Sequence, residues 1–215
     1  MKEALILVDI QNDFCPGGSL AVNEGDLIVP LVNKLIAVFP LVIATQDWHP
    51  EEHLSFAANN PGKNIGDVID LAGAKQILWP VHCVQNTFGA EFVAGLAKEK
   101  ITKVFRKGTD RMIDSYSGFY DNNHSNSTGL GEYLRENGVE IIYVTGLATD
   151  YCVKFTVLDS LKSGFKTVLI ADAVRGVELN SGDISSALRL MQEAGAEIVD
   201  SESILRARKE QKINV

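Results

Sequence analysis

The sequence is poor in cysteine, in long apolar runs and in positive charge. Its three cysteines, Cys15, Cys83 and Cys152, are too few and odd in number for a disulfide framework, and they fit a reducing compartment. No apolar run approaches the about 20 residues that a membrane-spanning helix needs. The apolar residues 4–8 are followed at once by Asp9, Gln11, Asn12 and Asp13, too soon polar for a secretory signal. Lys and Arg number 20 against 28 Asp and Glu, a net charge of -8 that opposes nonspecific binding to nucleic acid or anionic membranes. A cytoplasmic protein without nucleic-acid or membrane partners is the expectation.

What is present is a rhythm. A chain of 215 residues, 46% hydrophobic, is long enough to bury one sizeable core, so residues 1–215 are expected to form one domain. Short apolar, β-branched runs at 4–10, 41–45, 103–106, 140–145, 167–171 and 197–199 read as strands, mostly apolar on both faces, as in a parallel sheet covered on both sides. Stretches 26–39, 129–137, 150–163 and 183–194 have helical spacing, and Gly138, Gly164 and Gly195 stand where helices end. The alternation predicts a doubly wound α/β fold with a mostly parallel sheet of about six strands and right-handed crossovers. Residues 48–85, rich in His, Asn, Pro and Gly, read as an irregular insertion, which in a compact domain points to function.

Open α/β sheets bind ligands at the carboxyl ends of their strands. The polar residues expected there are Asp9, Asp47, His49, Lys107, 149–152 and Asp172. Cys152 falls in the first turn of an expected helix, where unsatisfied N–H groups and the dipole favour a thiolate. Its own N–H and that of a nearby residue such as Ala148 can face an oxyanion. A free cysteine is as often a small buried hydrophobe, so position alone leaves both readings open. Asp9, at the end of "LILVDIQNDF", and Lys107, in "VFRKGTD", would complete an activated nucleophile, as proton acceptor and charge partner. Without the cysteine they would be a plain ion pair.

Three of the four histidines, His49, His53 and His82, fall in the insertion together with Asp47. One carboxylate with two or three imidazoles suits a divalent ion: zinc first, or iron or manganese. Asp47 and His49, two apart on extended chain, point to one side. His82 stands in a tight turn between Pro80 and Cys83 that suits a fixed ligand, whereas His124 in "DNNHSNS" reads as surface.

Seven segments in order, "LILVDIQNDFCPGGSLAV", "TQDWHPEEHLSFA", "LWPVHCVQNTFGAEF", "FRKGTD", "DSYSGFYDN", "VTGLATDYCV" and "VLIADAVRG", resemble the nicotinamidases and pyrazinamidases among the isochorismatase-like cysteine hydrolases. The resemblance spans nearly the whole chain. It implies an isochorismatase-like hydrolase fold and a catalytic triad of Asp9, Lys107 and Cys152. It implies further a divalent metal on Asp47, His49 and His82 with water completing the shell, and His53 outside the set. By the same route Phe14 and Trp79 would hold a flat pyridine ring with Tyr116 lining the pocket, and the peptide Leu147-Ala148 would be cis. The implied reaction is hydrolysis of nicotinamide to nicotinate and ammonia through a cysteine thioester, in NAD salvage, with pyrazinamide as a second substrate. A homo-oligomer is compatible with it.

Two other readings compete. One is a sister hydrolase acting on a carbamoyl or ureido compound or on isochorismate; isochorismatases lack the cysteine, and most of the others lack the Asp-His-His set. The other is a noncatalytic flavodoxin-like module, whose phosphate loop should follow the first strand; "DIQNDFCPGGSL" offers no helix start there.

Overall fold

The computed structural model describes residues 1–213. Six strands, β1 (Lys2–Val8), β2 (Val42–Asp47), β5 (Lys103–Lys107), β6 (Val139–Leu147), β7 (Lys166–Arg175) and β8 (Glu197–Val199), form one sheet in the order β5-β2-β1-β6-β7-β8. Every pairing in it is parallel. Helices α1 (Val29–Ile36), α2 (Leu130–Glu136), α3 (Lys154–Lys162), α4 (Asp183–Glu193) and α5 (Ser201–Ile213) cover it.

Strand β1 shows how the pattern of apolar residues builds both layers. Its Leu5 and Leu7 enter a core with Val32 and Leu35 of α1 and Ile204 of α5. The alternate residues Ala4, Ile6 and Val8 enter the opposite core with Leu134 of α2, Val157 of α3 and Met191 of α4. Both faces are therefore dry, as a parallel sheet requires.

The chain runs outward from β1 to β2 and β5, then returns across β1 to β6 and on to β7 and β8. The direction reverses between β1 and β6, and there the carboxyl ends of neighbouring strands open a crevice. Asp9 follows β1 and 149–152 follow β6, so the reversal brings them together.

Several expectations are corrected. The 48–85 segment is not wholly irregular, since β3 (Val68–Leu71) and β4 (Ala74–Ile77) form an antiparallel hairpin. Its turn places Ala72 at φ 52 and Gly73 at φ 86. Asn or Asp usually marks the first of these left-handed positions, and Ala72 hides the turn. Helix α1 is shorter than 26–39, because Pro30 sits in its first turn, where its missing N–H leaves no bond unmade, and a 3-10 turn (Gly25–Ile28) precedes it. Strand β7 runs on to Arg175, so the exposed Asp172 lies within it, away from the crevice. Asp172 instead accepts Ser201 N–H at 2.8 Å and Ser201 Oγ–H at 2.6 Å, capping α5, a helix the sequence reading did not include. Gly138, Gly164 and Gly195 do take left-handed φ (68, 89 and 107) after α2, α3 and α4.

Candidate active site

Asp9 leaves β1 with φ 47, a conformation few non-glycine residues adopt. The turn ends the strand at Val8, short of the expected Ile10, and places a fully buried carboxylate in the crevice. Thr45 Oγ1–H donates to Asp9 Oδ1 at 2.6 Å. Lys107, the last residue of β5, is paired in register with Asp47, the last of β2. Its buried ammonium donates to Asp47 Oδ1 at 2.6 Å, to Ser115 O at 2.8 Å and to Cys152 Sγ at 3.5 Å. Asp9 Oδ2 lies 2.9 Å from the same nitrogen. The two form a buried ion pair, and no other donor reaches Asp9 Oδ2.

Burial opposes the Lys107 ammonium, but Asp47, Asp9 and Cys152 outweigh it and hold its pKa well above the ordinary value. Burial pushes the Asp9 carboxyl up against the opposing pull of Lys107. Burial likewise pushes the Cys152 thiol well up, with Asp9 and Asp47 adding to it and Lys107 opposing. The expected thiolate-lowering helix start is therefore not what controls this cysteine; a buried thiol within hydrogen-bond reach of Asp9 needs a base.

The local backbone differs too. Thr149–Val153 is a π turn, and α3 begins only at Lys154 rather than at Asp150. Ala148 O accepts from Tyr151 N–H and Val153 N–H, both at 3.1 Å, so Cys152 N–H does not make the usual α-helical bond to it. The Leu147-Ala148 peptide is cis. Ala148 and Cys152 line the same cleft, together with Phe14, Trp79 and Tyr116. Trp79 Nε1–H donates to Tyr116 Oη at 3.0 Å, which fixes the two rings against each other.

Beside the lysine, Asp47 Oδ2 faces His49 Nε2 at 3.4 Å and His82 Nε2 at 3.6 Å. Each imidazole is oriented from behind, His49 Nδ1–H donating to Gly108 O at 2.8 Å and His82 Nδ1–H to Pro80 O at 2.8 Å. Both Nε2 lone pairs then converge on Asp47, and His49 Nε2 is buried without a hydrogen-bond partner. Donor atoms of the three lie within 4.8 Å of one another, so the set fits a divalent cation, backed by the outer bonds that such ligands carry. Burial, with His49 nearby, drives His53 down to about 4. His53 sits with His49 and Asp114 in a second such cluster, but Ser55 N–H donates to its Nδ1 at 3.1 Å and its Nε2 faces Ile113 O at 3.4 Å. No lone pair of His53 is left to face an ion.

The chain matches the isochorismatase domain family over residues 3–203. It belongs to that family. A nicotinamidase of Acinetobacter baylyi is 44% identical, over 94% of this chain and 94% of that one. The solved nicotinamidase/pyrazinamidase of Acinetobacter baumanii superposes with a TM-score of 0.92 at 46% identity, covering 94% of this chain and 98% of its own. The pyrazinamidase of Pyrococcus horikoshii, solved in complex with zinc, gives 0.76 at 43% identity, covering 93% and 99%.

In this isochorismatase-family chain, three buried residues beyond the sequence reading support the site. Gln11 Nε2–H donates to Asp47 O at 2.8 Å and Ala90 O at 2.9 Å, while its Oε1 accepts Asp47 N–H at 2.8 Å. Gln76 of β4 donates to Asp114 Oδ2 at 2.9 Å and to Tyr116 Oη at 3.0 Å. Asp114 itself lines the cleft. Gln11 and Asp114 lie inside two of the family segments, but nothing in their spacing marks them; Gln76 precedes the third. No described helix is long and apolar enough to cross a membrane.

Proposed function

We propose that this chain is a nicotinamidase, hydrolysing nicotinamide to nicotinate and ammonia as an amidohydrolase with Cys152 as nucleophile. The same cleft would deamidate pyrazinamide, and the nicotinate would feed NAD salvage in the cytoplasm. The reading takes residues 1–215 as one domain, since both cores share one sheet. The observation that carries it is the buried Asp9-Lys107-Cys152 cluster, in which no donor besides the Lys107 ammonium, 2.9 Å away, reaches Asp9 Oδ2, leaving that oxygen able to take the thiol proton. The nicotinamidase and pyrazinamidase names of relatives at 43–46% identity support the substrate.

In this mechanism Asp9 takes the Cys152 thiol proton as sulfur attacks the amide carbon. The oxyanion rests on Ala148 N–H and Cys152 N–H. The tetrahedral adduct collapses, the C–N bond breaks, and the leaving nitrogen takes the proton from Asp9 to depart as ammonia. Water then attacks the thioester, giving its proton to Asp9; the C–S bond breaks, nicotinate leaves and the proton returns to sulfur. Lys107 steadies the negative charge that moves between Asp9 and sulfur. Phe14, Trp79 and Tyr116 hold the ring. Asp47, His49 and His82 would hold zinc, which when bound supplies a Lewis-acid contact for the ring nitrogen.

The test is ammonia release from nicotinamide by the purified protein, with and without chelator, beside Cys152→Ala. Turnover by the wild type and none by the variant is expected. Turnover retained by the folded variant overturns the mechanism, and a wild type active only on carbamoyl or ureido compounds overturns the substrate.

A further inference from the structure

A cavity of about 480 Å³ lies outside the catalytic cleft, between the β3-β4 hairpin and helices α3 and α4. Tyr116 and Tyr151 line both spaces, so these two rings form the partition. On the cavity side the wall continues into Phe155, stacked on Tyr116 with centroids 5.5 Å apart. Apolar contacts come from Ile77 and Ala187, with Val68 and Leu190 exposed at the rim.

Charge in this cavity is arranged unequally. Asp150 is engaged, its Oδ1 accepting Val177 N–H at 2.9 Å and its Oδ2 accepting Glu178 N–H at 2.8 Å. Asp183 Oδ2 accepts Asn180 N–H at 2.9 Å. The two lysines are not engaged in that way. Half-buried Lys154 lies against the rings, its Nζ 4.8 Å from the Phe155 centroid and 5.6 Å from that of Tyr151. Neither Lys154 nor exposed Lys75 of β4 has an ion pair or hydrogen bond for its ammonium among the described residues. Burial lowers the Lys154 pKa while Asp150 and Asp183 pull it back up from beyond ion-pair distance, so an anion placed against the ammonium would give it the direct partner it lacks.

We propose that this cavity is a second binding site, separate from the catalytic cleft, for a planar aromatic carboxylate. The ring would lie on the Tyr151-Phe155 wall and the carboxylate against Lys154, with Lys75 closing the charge at the rim. Aromatic faces beside a cation suit a ligand that is flat at one end and anionic at the other. The reaction proposed above releases such a molecule, so the enzyme's product is one source and unrelated aromatic acids are the other. The site does not depend on that reaction, because Lys75, Lys154 and Phe155 lie away from the catalytic cleft and only Tyr151, as the partition, also lines it.

Calorimetric titration with nicotinate and with benzoate tests it, on the wild type, Lys154→Gln and the double variant Lys75→Met/Lys154→Met. A class of binding is expected that weakens about tenfold or more in Lys154→Gln, the equivalent of one charge-assisted hydrogen bond, and disappears in the double variant. Turnover of nicotinamide should stay unchanged in both, which also reports that they fold. Binding of nicotinate alone identifies the product as the ligand, and binding of both probes identifies aromatic acids generally. Isotherms that superimpose for all three proteins overturn the proposal. Absence of ammonia release by the wild type would count against the catalytic reading and leave the titration result standing.

Discussion

Lys107 and Asp47 stand opposite each other in the β5-β2 register, and their side chains meet at 2.6 Å. Asp47 thereby divides its two oxygens, Oδ1 to the lysine of the proposed nucleophile cluster and Oδ2 to the two imidazoles that would hold metal. One carboxylate would serve two sites. Burial alone would raise Asp47, but the Lys107 ammonium overcomes it and holds the group well below the usual carboxylate range.

Asp47→Asn should therefore damage both functions at once. The amide keeps the shape but loses the charge, so bound metal is expected to fall well below stoichiometric. Turnover should drop by about 100-fold or more, since members of such units fail together. Elemental analysis of the purified variant beside its steady-state rate is the check. A variant with full metal and wild-type turnover would show that the two sites are not joined through this residue.

The strand-end members of the site were legible because each follows an apolar run: Asp9, Asp47, Lys107 and Cys152 all sit where a buried strand gives way to polar chain. Asp172 obeys the same pattern and is misleading, because β7 continues to Arg175 and the carboxylate caps α5. Gln11 and Gln76 were not legible at all. A buried amide that holds a neighbour leaves no period and no spacing; only its partners, distant in sequence, reveal it. The π turn at Cys152 escapes for a similar reason, since its apolar spacing matches that of an ordinary helix start.

Gln76 gives the second expectation. Its amide joins Asp114 Oδ2 and Tyr116 Oη, and Asn122 Nδ2–H donates to its Oε1 at 3.2 Å, so one hairpin side chain fixes the far wall of the cleft. Gln76→Ala should raise KM for nicotinamide by about tenfold, the loss of one hydrogen bond to a charged group, with a smaller effect on kcat. Steady-state kinetics separate the two parameters. An unchanged KM with a collapsed kcat would place Gln76 in the chemistry instead of the pocket wall.

His53 carries a pH dependence. Burial depresses its pKa to about 4, so the folded protein keeps it neutral while the unfolded chain takes up a proton near pH 6.5. The unfolded state binds more protons between these values, and stability therefore falls as pH drops from 6.5 towards 4. The loss through this group is on the order of 2 kcal/mol by pH 4.5. His53→Gln should flatten that part of the profile. Urea unfolding at pH 7 and pH 4.5 measures it, and equal losses in both proteins would contradict the assignment.

Gly108 offers a cleaner test of the metal set than any ligand deletion. It has φ 63, and a Cβ built on it would stand 2.4 Å from His49 Cε1 and 2.7 Å from Nδ1. The carbonyl of the same residue is the acceptor that orients the His49 ring. Gly108→Ala must therefore push the imidazole away from its own anchor. Metal affinity should fall by about 10- to 100-fold, as when an outer partner of a ligand is lost. Gly164→Ala is the control: its φ is 89 with nothing within 4 Å of the added carbon. That substitution should cost about 1–2 kcal/mol of backbone strain and leave the metal in place. Competition titration against a zinc-binding dye, run on both variants, distinguishes a displaced ligand from general destabilisation. Equal metal affinity in the two would mean that His49 does not bind the ion through the ring face Gly108 supports.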